Sequence, residues 1–304
     1  ADGPESILIE DRLNNKGSYV WRVPEDIHNR VHVRVSDARN PSVNTVTPAP
    51  FSIIGTFELL SPKGGEYWTV GSTQEIVWSS KGKMDSVNLE YSRDDFYHDV
   101  NVIGSGLPNT GLALWAVPDA LSDNVLVRIS DASDLRAQTV SASPFKITGA
   151  VGFTNIGAGE VWRVGERKLL TWLTTGSVMH VRLEYSRDDF QNDIQVIENN
   201  VLNSGKYEWQ VPDAVSNLFR FRISDAKDPS IASISAPVKV QGGLVLTSLA
   251  EDQVFNVLGT YPITWETIGS ISKVRLEYSG DNFTQDIHVI ANDIPNKGLY
   301  EWTV

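Results

Sequence analysis

The chain has 304 residues, with 26 Lys and Arg against 38 Asp and Glu, so its formal net charge is −12. This balance argues against nucleic acid as a partner, because phosphate binding requires clustered Lys and Arg. Cysteine is absent, which excludes disulfides, thiolate metal sites and cysteine nucleophiles and favours a prokaryotic source. The sequence shows neither the run of about 20 apolar residues that a membrane span requires nor a signal peptide.

An internal repeat organises the sequence. The motif Leu-Glu-Tyr-Ser begins at Leu89, Leu183 and Leu276, so its copies lie 94 and 93 residues apart. A fixed period of this kind is typical of an array of one module. The period predicts a partial module with the later strands at 1–54, complete modules at 55–148 and 149–242, and a partial module with the earlier strands at 243–304.

Short apolar runs and turn signals alternate along 55–148. Pro, Gly and Asp residues separate the runs at intervals of roughly eight to twelve residues, and no stretch has helical periodicity. Seven or eight such strands are typical of an antiparallel β-sandwich of the immunoglobulin or fibronectin-III type. The junctions between modules lack Ser/Pro-rich linkers, so we predict an all-β chain of tandem sandwiches arranged as a rod. The predicted strands are 57–60, 67–70, 74–78, 87–92, 100–103, 112–117, 125–130 and 139–147.

The nine tryptophans follow the same period and occupy three columns, meaning equivalent positions of successive modules. An exposed sugar-binding platform would not need three columns in each copy, whereas large aromatic side chains at fixed strand positions are typical of a core. We therefore predict that the tryptophans are core residues rather than a lectin site. The columns are Trp21, Trp115, Trp209 and Trp302; Trp78, Trp172 and Trp265; and Trp68 and Trp162, with Phe255 in the last copy.

The penultimate strand of each module alternates apolar and polar residues, which predicts one buried and one solvent-exposed face. On the exposed face we predict cross-strand ion pairs worth under about 1 kcal/mol each. These pairs are Glu90 with Arg128 and Glu184 with Arg222. The residues predicted to face inward are Val31, Val33 and Val35; Val125, Val127 and Ile129; and Phe219, Phe221 and Ile223.

The two partial modules are complementary. Glu277 has no following Arg, and Arg34 has no preceding Glu, so each carries one half of a further pair. Each partial module alone would expose an apolar sheet face and an unpaired edge. Two explanations stay open. The chain is a stretch of a longer array, or the last module of one chain is completed by the first module of the next, a heterologous contact that generates filaments.

Acidic residues recur at two positions of the repeat. The first is a turn whose oxygen-rich composition suits calcium, although Asp and Asn also favour tight turns through local hydrogen bonds. The second follows the penultimate strand, at Asp37, Asp131 and Asp225, where we predict a carboxylate that caps a turn. The first set comprises Asp94, Asp95 and Asp99; Asp188, Asp189 and Asp193; and Asp281, Asn282 and Asp286.

No catalytic constellation is evident. No serine lies in a nucleophile-elbow pattern, and the acids repeat as turn and surface residues rather than as a glycosidase-like pair. The sequence therefore predicts a protein that is not an enzyme, with no catalytic, cofactor-binding or metal-ligating residues and no cofactor. The histidines occupy unrelated positions of the repeat: His28, His32, His98, His180 and His288.

Five motifs, taken in order, resemble the Ser/Thr-rich cell-wall domains of yeast glucan-assembly proteins (Kre/Knh type), which large secreted bacterial proteins carry in tandem. The last copy departs from the pattern, because 250–255 replaces the Gly-Gly-Glu-x-Trp turn. The resemblance implies an extracellular immunoglobulin-like sandwich used for display, spacing or adhesion, without catalytic residues. The motifs lie at 64–72, 76–78, 89–92, 115–119 and 127–132.

These observations favour a non-catalytic extracellular structural array, as a segment of a giant surface protein, stalk, sheath or filament. The predicted partners are neighbouring copies of the chain or cell-surface and matrix components. The alternatives are a glycan- or cell-binding adhesin and the spacer of a secreted hydrolase. A glycan array would test the first alternative, and the full-length gene context would test the second.

Overall fold

A computed structural model describes residues 7–304. It divides the chain into two compact units, 1–148 and 149–304, which are considered separately below. No helix of the described residues is long and apolar enough to cross a membrane. The secondary structure of the described residues consists of strands and turns. We refer to 7–54, 55–148, 149–242 and 243–304 as the first, second, third and fourth segments.

The first unit contains thirteen strands in its described part. Those of the first segment are β1 (His28–Val31), β2 (Arg34–Ser36), β3 (Asn44–Val46) and β4 (Phe51–Ile53). Those of the second segment are β5 (Thr56–Ser61), β6 (Tyr67–Thr69), β7 (Thr73–Lys81), β8 (Ser86–Ser92), β9 (Asn101–Pro108), β10 (Leu112–Ala116), β11 (Ser122–Asp131), β12 (Gln138–Val140) and β13 (Phe145–Thr148).

Two sheets pack face to face in the second segment. One has the order β10-β7-β5, and the other has the order β6-β13-β11-β8-β9 with β12 paired to β11. All these pairings are antiparallel except β6 with β13, which is parallel. The apolar faces of both sheets contribute to one buried cluster. The predicted immunoglobulin- or fibronectin-III-like antiparallel sandwich is confirmed.

The third segment repeats this arrangement. The third segment contains β14 (Ala150–Phe153), β15 (Val161–Arg163), β16 (Arg167–Thr175), β17 (His180–Ser186), β18 (Gln195–Leu202), β19 (Lys206–Gln210), β20 (Ser216–Asp225), β21 (Ala232–Ile234) and β22 (Val238–Gln241). Its sheets have the orders β14-β16-β19 and β15-β22-β20-β17-β18, with β21 on β20. The fourth segment contains β23 (Gly243–Leu246), β24 (Thr260–Ile268), β25 (Lys273–Tyr278), β26 (His288–Pro295) and β27 (Leu299–Thr303). It has the smaller sheets β23-β24-β27 and β25-β26.

Six of the nine tryptophans are buried core residues, and Trp21, Trp209 and Trp302 are half-buried. Trp78, Trp172 and Trp265 expose only 3, 2 and 6% of their surface. Each indole N–H donates to an asparagine carbonyl oxygen at 2.7 to 2.8 Å, so a buried aromatic side chain satisfies its one polar atom. In the other two columns Trp68, Trp115 and Trp162 are also buried. The core interpretation is confirmed for these residues, and no sugar platform is available on them.

The inward-facing prediction holds for β11 and β20 and only in part for the first segment, where Val31 and Val33 are half-buried. All six apolar residues predicted to face inward on β11 and β20 are fully buried, whereas Val35 on β2 is 66% exposed. The reason is the missing neighbour. β11 and β20 each lie beside a strand of the same sheet, β8 or β17, whereas β2 pairs only with β3 among the described residues. An apolar side chain is shielded from water by the strands beside its own strand as well as by the layer packed over it, and β2 has fewer such neighbours.

Each unit also contains contacts between its two segments. Arg136 of the second segment donates to the Ser52 hydroxyl at 3.2 Å and to the Asn29 side-chain oxygen at 3.3 Å. In the second unit, the Asp213 carboxylate accepts bonds from the backbone N–H and the hydroxyl of Ser270, at 2.7 and 2.5 Å. Direct hydrogen bonds of this kind restrain neighbouring segments within a unit.

Candidate interaction site

The acidic turns direct their carboxylates toward N–H donors. The Asp94 carboxylate accepts hydrogen bonds from the backbone N–H groups of residues 97, 98 and 99. The Asp99 carboxylate forms a bidentate ion pair with the Arg93 guanidinium, with N–O distances of 2.7 and 2.9 Å. The hydrogen bonds from Arg93 and Asn101 hold the pKa of Asp99 below its ordinary value. A calcium site would need these oxygens for the ion. Within the described residues no group of three or more His, Asp or Glu could hold a metal.

The same turn places an aromatic residue in a costly backbone conformation. Asp95 and Phe96 have φ angles of 59° and 64°, and the equivalent pairs Asp189–Phe190 and Asn282–Phe283 have angles of 58 to 62°. A bulky residue in the left-handed region costs on the order of 1–3 kcal/mol, so surrounding contacts must hold it there. Favourable contacts of the Phe ring are therefore part of what maintains the turn.

Those ring contacts involve the predicted Glu–Arg pairs. Arg128 lies directly opposite Glu90 on neighbouring strands, with N–O distances of 2.7 and 2.9 Å, and its guanidinium carbon lies 4.3 Å from the centre of the Phe96 ring. In the third segment Arg222 contacts Glu184 at 2.7 Å and lies 4.5 Å from the centre of the Phe190 ring. Both predicted ion pairs are confirmed. Each is also part of a Glu–Arg–Phe group.

The predicted exposure of one pair is wrong. The side chain of Glu184 is only 3% exposed, because a second arginine, Arg182, also covers it. Burial works to raise the pKa of Glu184, but hydrogen bonds and positive charge from Arg222 and Arg182 outweigh that effect and lower it. Removing one partner from a buried carboxylate held by two guanidinium groups costs more than breaking a surface pair, because it leaves a buried charge uncompensated.

The second acidic position caps turns as predicted. Asp131 accepts the backbone N–H and the hydroxyl of Ser133, at 2.9 and 2.8 Å. Asp225 accepts the N–H of residue 227, and Asp37 accepts that of residue 39, both at 2.9 Å. These are local bonds from a side chain to the backbone two residues on, which is the usual use of Asp in a turn. They indicate a structural role for this column.

The fourth segment leaves one strand edge unpaired. In the third segment β17 lies between β18 and β20, whereas the equivalent strand β25 pairs only with β26 among the described residues. The residues beside that edge are more exposed. Tyr278 is 46% exposed, and Leu276 is only half-buried although its equivalents Leu89 and Leu183 are fully buried.

The first segment contains the strands that this edge lacks. In β1–β4, Val31 lies opposite Phe51, as the equivalent Val125 lies opposite Phe145 in β11–β13. In β2–β3, Arg34 lies opposite Val46, as Arg128 lies opposite Val140. The first segment therefore has the strand registers of the later half of a module. The fourth segment has those of the earlier half, since Val274 pairs with Ile294 as Val181 pairs with Val201.

Sequence reasoning did not find the asparagine column that accepts the tryptophan N–H bonds. Asn109, Asn203 and Asn296 recur at the period of the repeat, which was an available signal. Each asparagine also donates from its amide nitrogen to a carbonyl oxygen, of Met84, Val178 or Ile271. The column links two loops of each segment and stabilises its fold, and it belongs to no exposed site.

No protein-family model and no curated protein matches the chain. The resemblance to Kre/Knh-type domains therefore has no support from these comparisons and stays a prediction.

Several solved structures are similar over long stretches. The fibronectin(III)-like modules of CbhA from Clostridium thermocellum are 19% identical and cover 61% of this chain and 93% of that chain, with a TM-score of 0.22. Sidekick-1 immunoglobulin domains 1–5 are 14% identical, covering 93% and 66%, with a TM-score of 0.27. The N-terminal four Ig domains of Dscam1 isoform 9.44 are 11% identical, covering 85% and 69%, with a TM-score of 0.28.

Proposed function

We propose that the chain is a non-catalytic structural or adhesive array of immunoglobulin-like modules, placed outside the cell, that assembles head-to-tail. In this assembly the first segment of one copy completes the fourth segment of the next. The four predicted modules, at 1–54, 55–148, 149–242 and 243–304, are the units of the array. The motifs that resemble Kre/Knh-type domains support the extracellular placement.

The observation that carries the proposal is the complementarity of the two partial segments. Among the described residues β25 of the fourth segment has a neighbour on one side only, and the first segment contains strands with the register of β20, β21 and β22. The third segment shows how such halves combine, since β17 and β20 are neighbours in one sheet there. Strand addition of this kind gains affinity from backbone hydrogen bonds and specificity from alternate side chains.

Burial supports the same pairing. Val35 is 66% exposed, whereas its equivalents Ile129 and Ile223 are fully buried. If β2 of one copy paired with β25 of another, Val35 of the first copy and Leu276 and Tyr278 of the second would become buried at the contact. Burial of apolar surface favours association by about 25 cal/mol per Å². A heterologous contact of this kind repeats from copy to copy and produces a filament or a ring.

Light scattering over a wide concentration range tests the proposal. We expect the mass of the wild-type chain to rise with concentration beyond that of the monomer. Val35→Asp should abolish the rise, because it puts a charge on the face that docking buries. Leu114→Asp is the matched control, since Leu114 is 68% exposed on a strand of the complete second segment and does not belong to either partial segment. A wild-type chain that stays monomeric at every concentration would refute head-to-tail assembly.

A further inference from the structure

Strand β10 of the second segment has an open edge. Among the described residues it pairs only with β7. Gly111 and Val117, at its two ends, form backbone hydrogen bonds on the β7 side, and bonded positions alternate along an antiparallel ladder. The N–H and C=O groups of Leu112, Leu114 and Ala116 therefore point away from β7. The side chains of Leu112 and Leu114 lie on the outer face of the sheet, where they are 46 and 68% exposed.

The stretch of chain that contains this edge has no charged residue. Residues 100–118 span β9, a short connection and β10, and they include no Asp, Glu, Lys, Arg or His. The equivalent stretch of the third segment has Glu198 in β18, and Lys206 and Glu208 in β19. Charged side chains on an outermost strand keep other strands from adding to it. The third segment therefore blocks this edge, whereas the second segment leaves it open.

A carboxylate borders the open edge. Glu75 of β7 lies directly opposite Leu114, so the two side chains share the outer face of the sheet, and Glu75 is exposed. The third segment reverses the two residue types, with Leu169 on β16 opposite Glu208 on β19. Neighbouring strands lie about 4.8 Å apart. A Lys or Arg on a strand added to β10 can therefore lay its stem along Leu114 and bring its charged group beside Glu75.

We propose that β10 binds an extended strand of another protein, which adds to the open edge with alternate side chains on the outer face. The added strand has a Lys or Arg opposite Leu114 and apolar residues opposite Leu112 and Ala116. Its backbone bonds to the N–H and C=O groups of the edge, and its basic side chain pairs with Glu75. The contact goes beyond the assembly of copies proposed above and uses no residue of the partial segments.

Charge favours such a partner over a second copy of the chain. Two β10 edges placed against each other would supply no cation for Glu75, because residues 100–118 contain none. The second segment also has more Asp and Glu than Lys and Arg, so two such segments repel each other. A strand with a basic residue meets the opposite charge there, which favours both encounter and register.

A synthetic peptide bound to the full chain tests the proposal. The probe has seven residues, in which valine, arginine and valine alternate with threonine, and both of its ends are blocked. We expect hydrogen exchange of the Leu112, Leu114 and Ala116 amides, followed by NMR, to slow by about tenfold or more at saturating peptide. A peptide with glutamate in place of arginine should bind about fivefold or more weakly, since it meets Glu75 with like charge.

N-methylated peptides test strand addition itself. The valine and arginine N–H groups of the probe face β10, whereas the threonine N–H groups face solvent. We expect N-methylation of the valines and arginine to weaken binding by about 100-fold or more, and N-methylation of the threonines to change it less than about threefold. Equal losses for the two peptides would overturn the proposal, because the contact would then not be an added strand.

Variants of the chain locate the contact. Leu114→Lys should weaken binding of the arginine peptide by about tenfold or more, because it removes the apolar support and places a cation opposite the arginine. The fold accepts a charged residue there, since Glu208 occupies the equivalent position of β19. Leu173→Lys is the matched control, because Leu173 is 74% exposed on β16, a central strand without an open edge. Glu75→Gln should cost about 2–5-fold for the arginine peptide.

Three results would overturn the proposal. The first is a chain that does not bind the peptide, or binds it equally well as Leu114→Lys. The second is an equal loss in Leu173→Lys. The third is self-association of Val35→Asp that Leu114→Lys removes, because it would assign the open edge to a second copy.

Discussion

The third and fourth segments contain equivalent early strands, but the side chains of these strands differ in burial. Leu183 is fully buried and Leu276 is half-buried, although both occupy the same position of the same motif. Glu184 is 3% exposed and Glu277 is 28% exposed. The difference is β20, which pairs with β17 in the same sheet. Among the described residues β25 has no strand in the equivalent position. Burial here is a property of the neighbouring strand, and the motif itself only makes burial possible.

The largest expected difference between the segments concerns this leucine. Leu183→Ala removes a fully buried side chain from the core of the third segment, which should cost about 2–5 kcal/mol of that segment's stability. Leu276→Ala in the fourth segment should cost less than half as much, because the Leu276 side chain is only half-buried. Hydrogen exchange followed segment by segment under mild denaturant measures both. Equal costs would mean that the fourth segment is covered in solution.

The buried carboxylate should give the second-largest effect. Glu184→Gln leaves Arg182 and Arg222 next to a neutral side chain, and we expect a loss of about 2–3 kcal/mol of the stability of the third segment. Glu277→Gln in the monomer should cost under about 1 kcal/mol, because Glu277 has one arginine partner and is solvated. Urea denaturation monitored by exchange within each segment separates the two. A similar loss for both variants would contradict the role assigned to β20.

Much of this difference was accessible from the sequence. Period and alternation predicted the strands, the tryptophan core and the Glu–Arg pairs, because all of these follow from local pattern and equivalent position. The burial of Glu184 was not predicted, since it needs Arg182, which the second segment replaces with Asn88. Nor was the exposure of Val35, which depends on a strand beyond its own segment.

The acidic turns show a different limit. Composition alone left calcium and tight turns as alternatives for Asp94 and Asp99. The choice depends on where the carboxylate oxygens point, which composition does not encode. In the structure they accept backbone N–H groups and the Arg93 guanidinium. Arg93 beside the turn was a usable sequence signal for a hydrogen-bonded turn, because its guanidinium group neutralises the Asp99 carboxylate.

The acidic turns also give a pH-dependent test of the comparison. Backbone hydrogen bonds, led by that from the Asp286 N–H, and a bond from Ser279 lower the pKa of Asp281 to about 2. A depressed carboxyl pKa stabilises the fold at pH values above the unfolded value of about 3.9, and this contribution disappears as the pH falls through about 2. The equivalent Asp188 also has a lowered pKa.

Because the pKa of both carboxyl groups is lowered, we expect the turns of both segments to open only at acidic pH, regardless of β20. NMR titration of the two carboxyl groups, with hydrogen exchange at the following turn amides, measures this. Asp281→Asn should remove the pH dependence from the fourth segment and leave that of the third unchanged. A midpoint for Asp281 near 3.9 would show that its turn is not formed in solution.

The smallest expected effect concerns the contact between the third and fourth segments. Ser270 donates its N–H and hydroxyl to the Asp213 carboxylate, and these bonds lower the pKa of Asp213. Ser270→Ala keeps the N–H bond and removes the hydroxyl bond, so exchange of amides around 269–271 should become a few-fold faster while the core strands of the third segment stay unchanged. Ser272→Ala, which alters a nearby exposed serine, is the control. If Ser270→Ala instead accelerates exchange throughout β24 and β25, the fourth segment depends on this contact for its order, and its difference from the third segment extends beyond the absence of a covering strand.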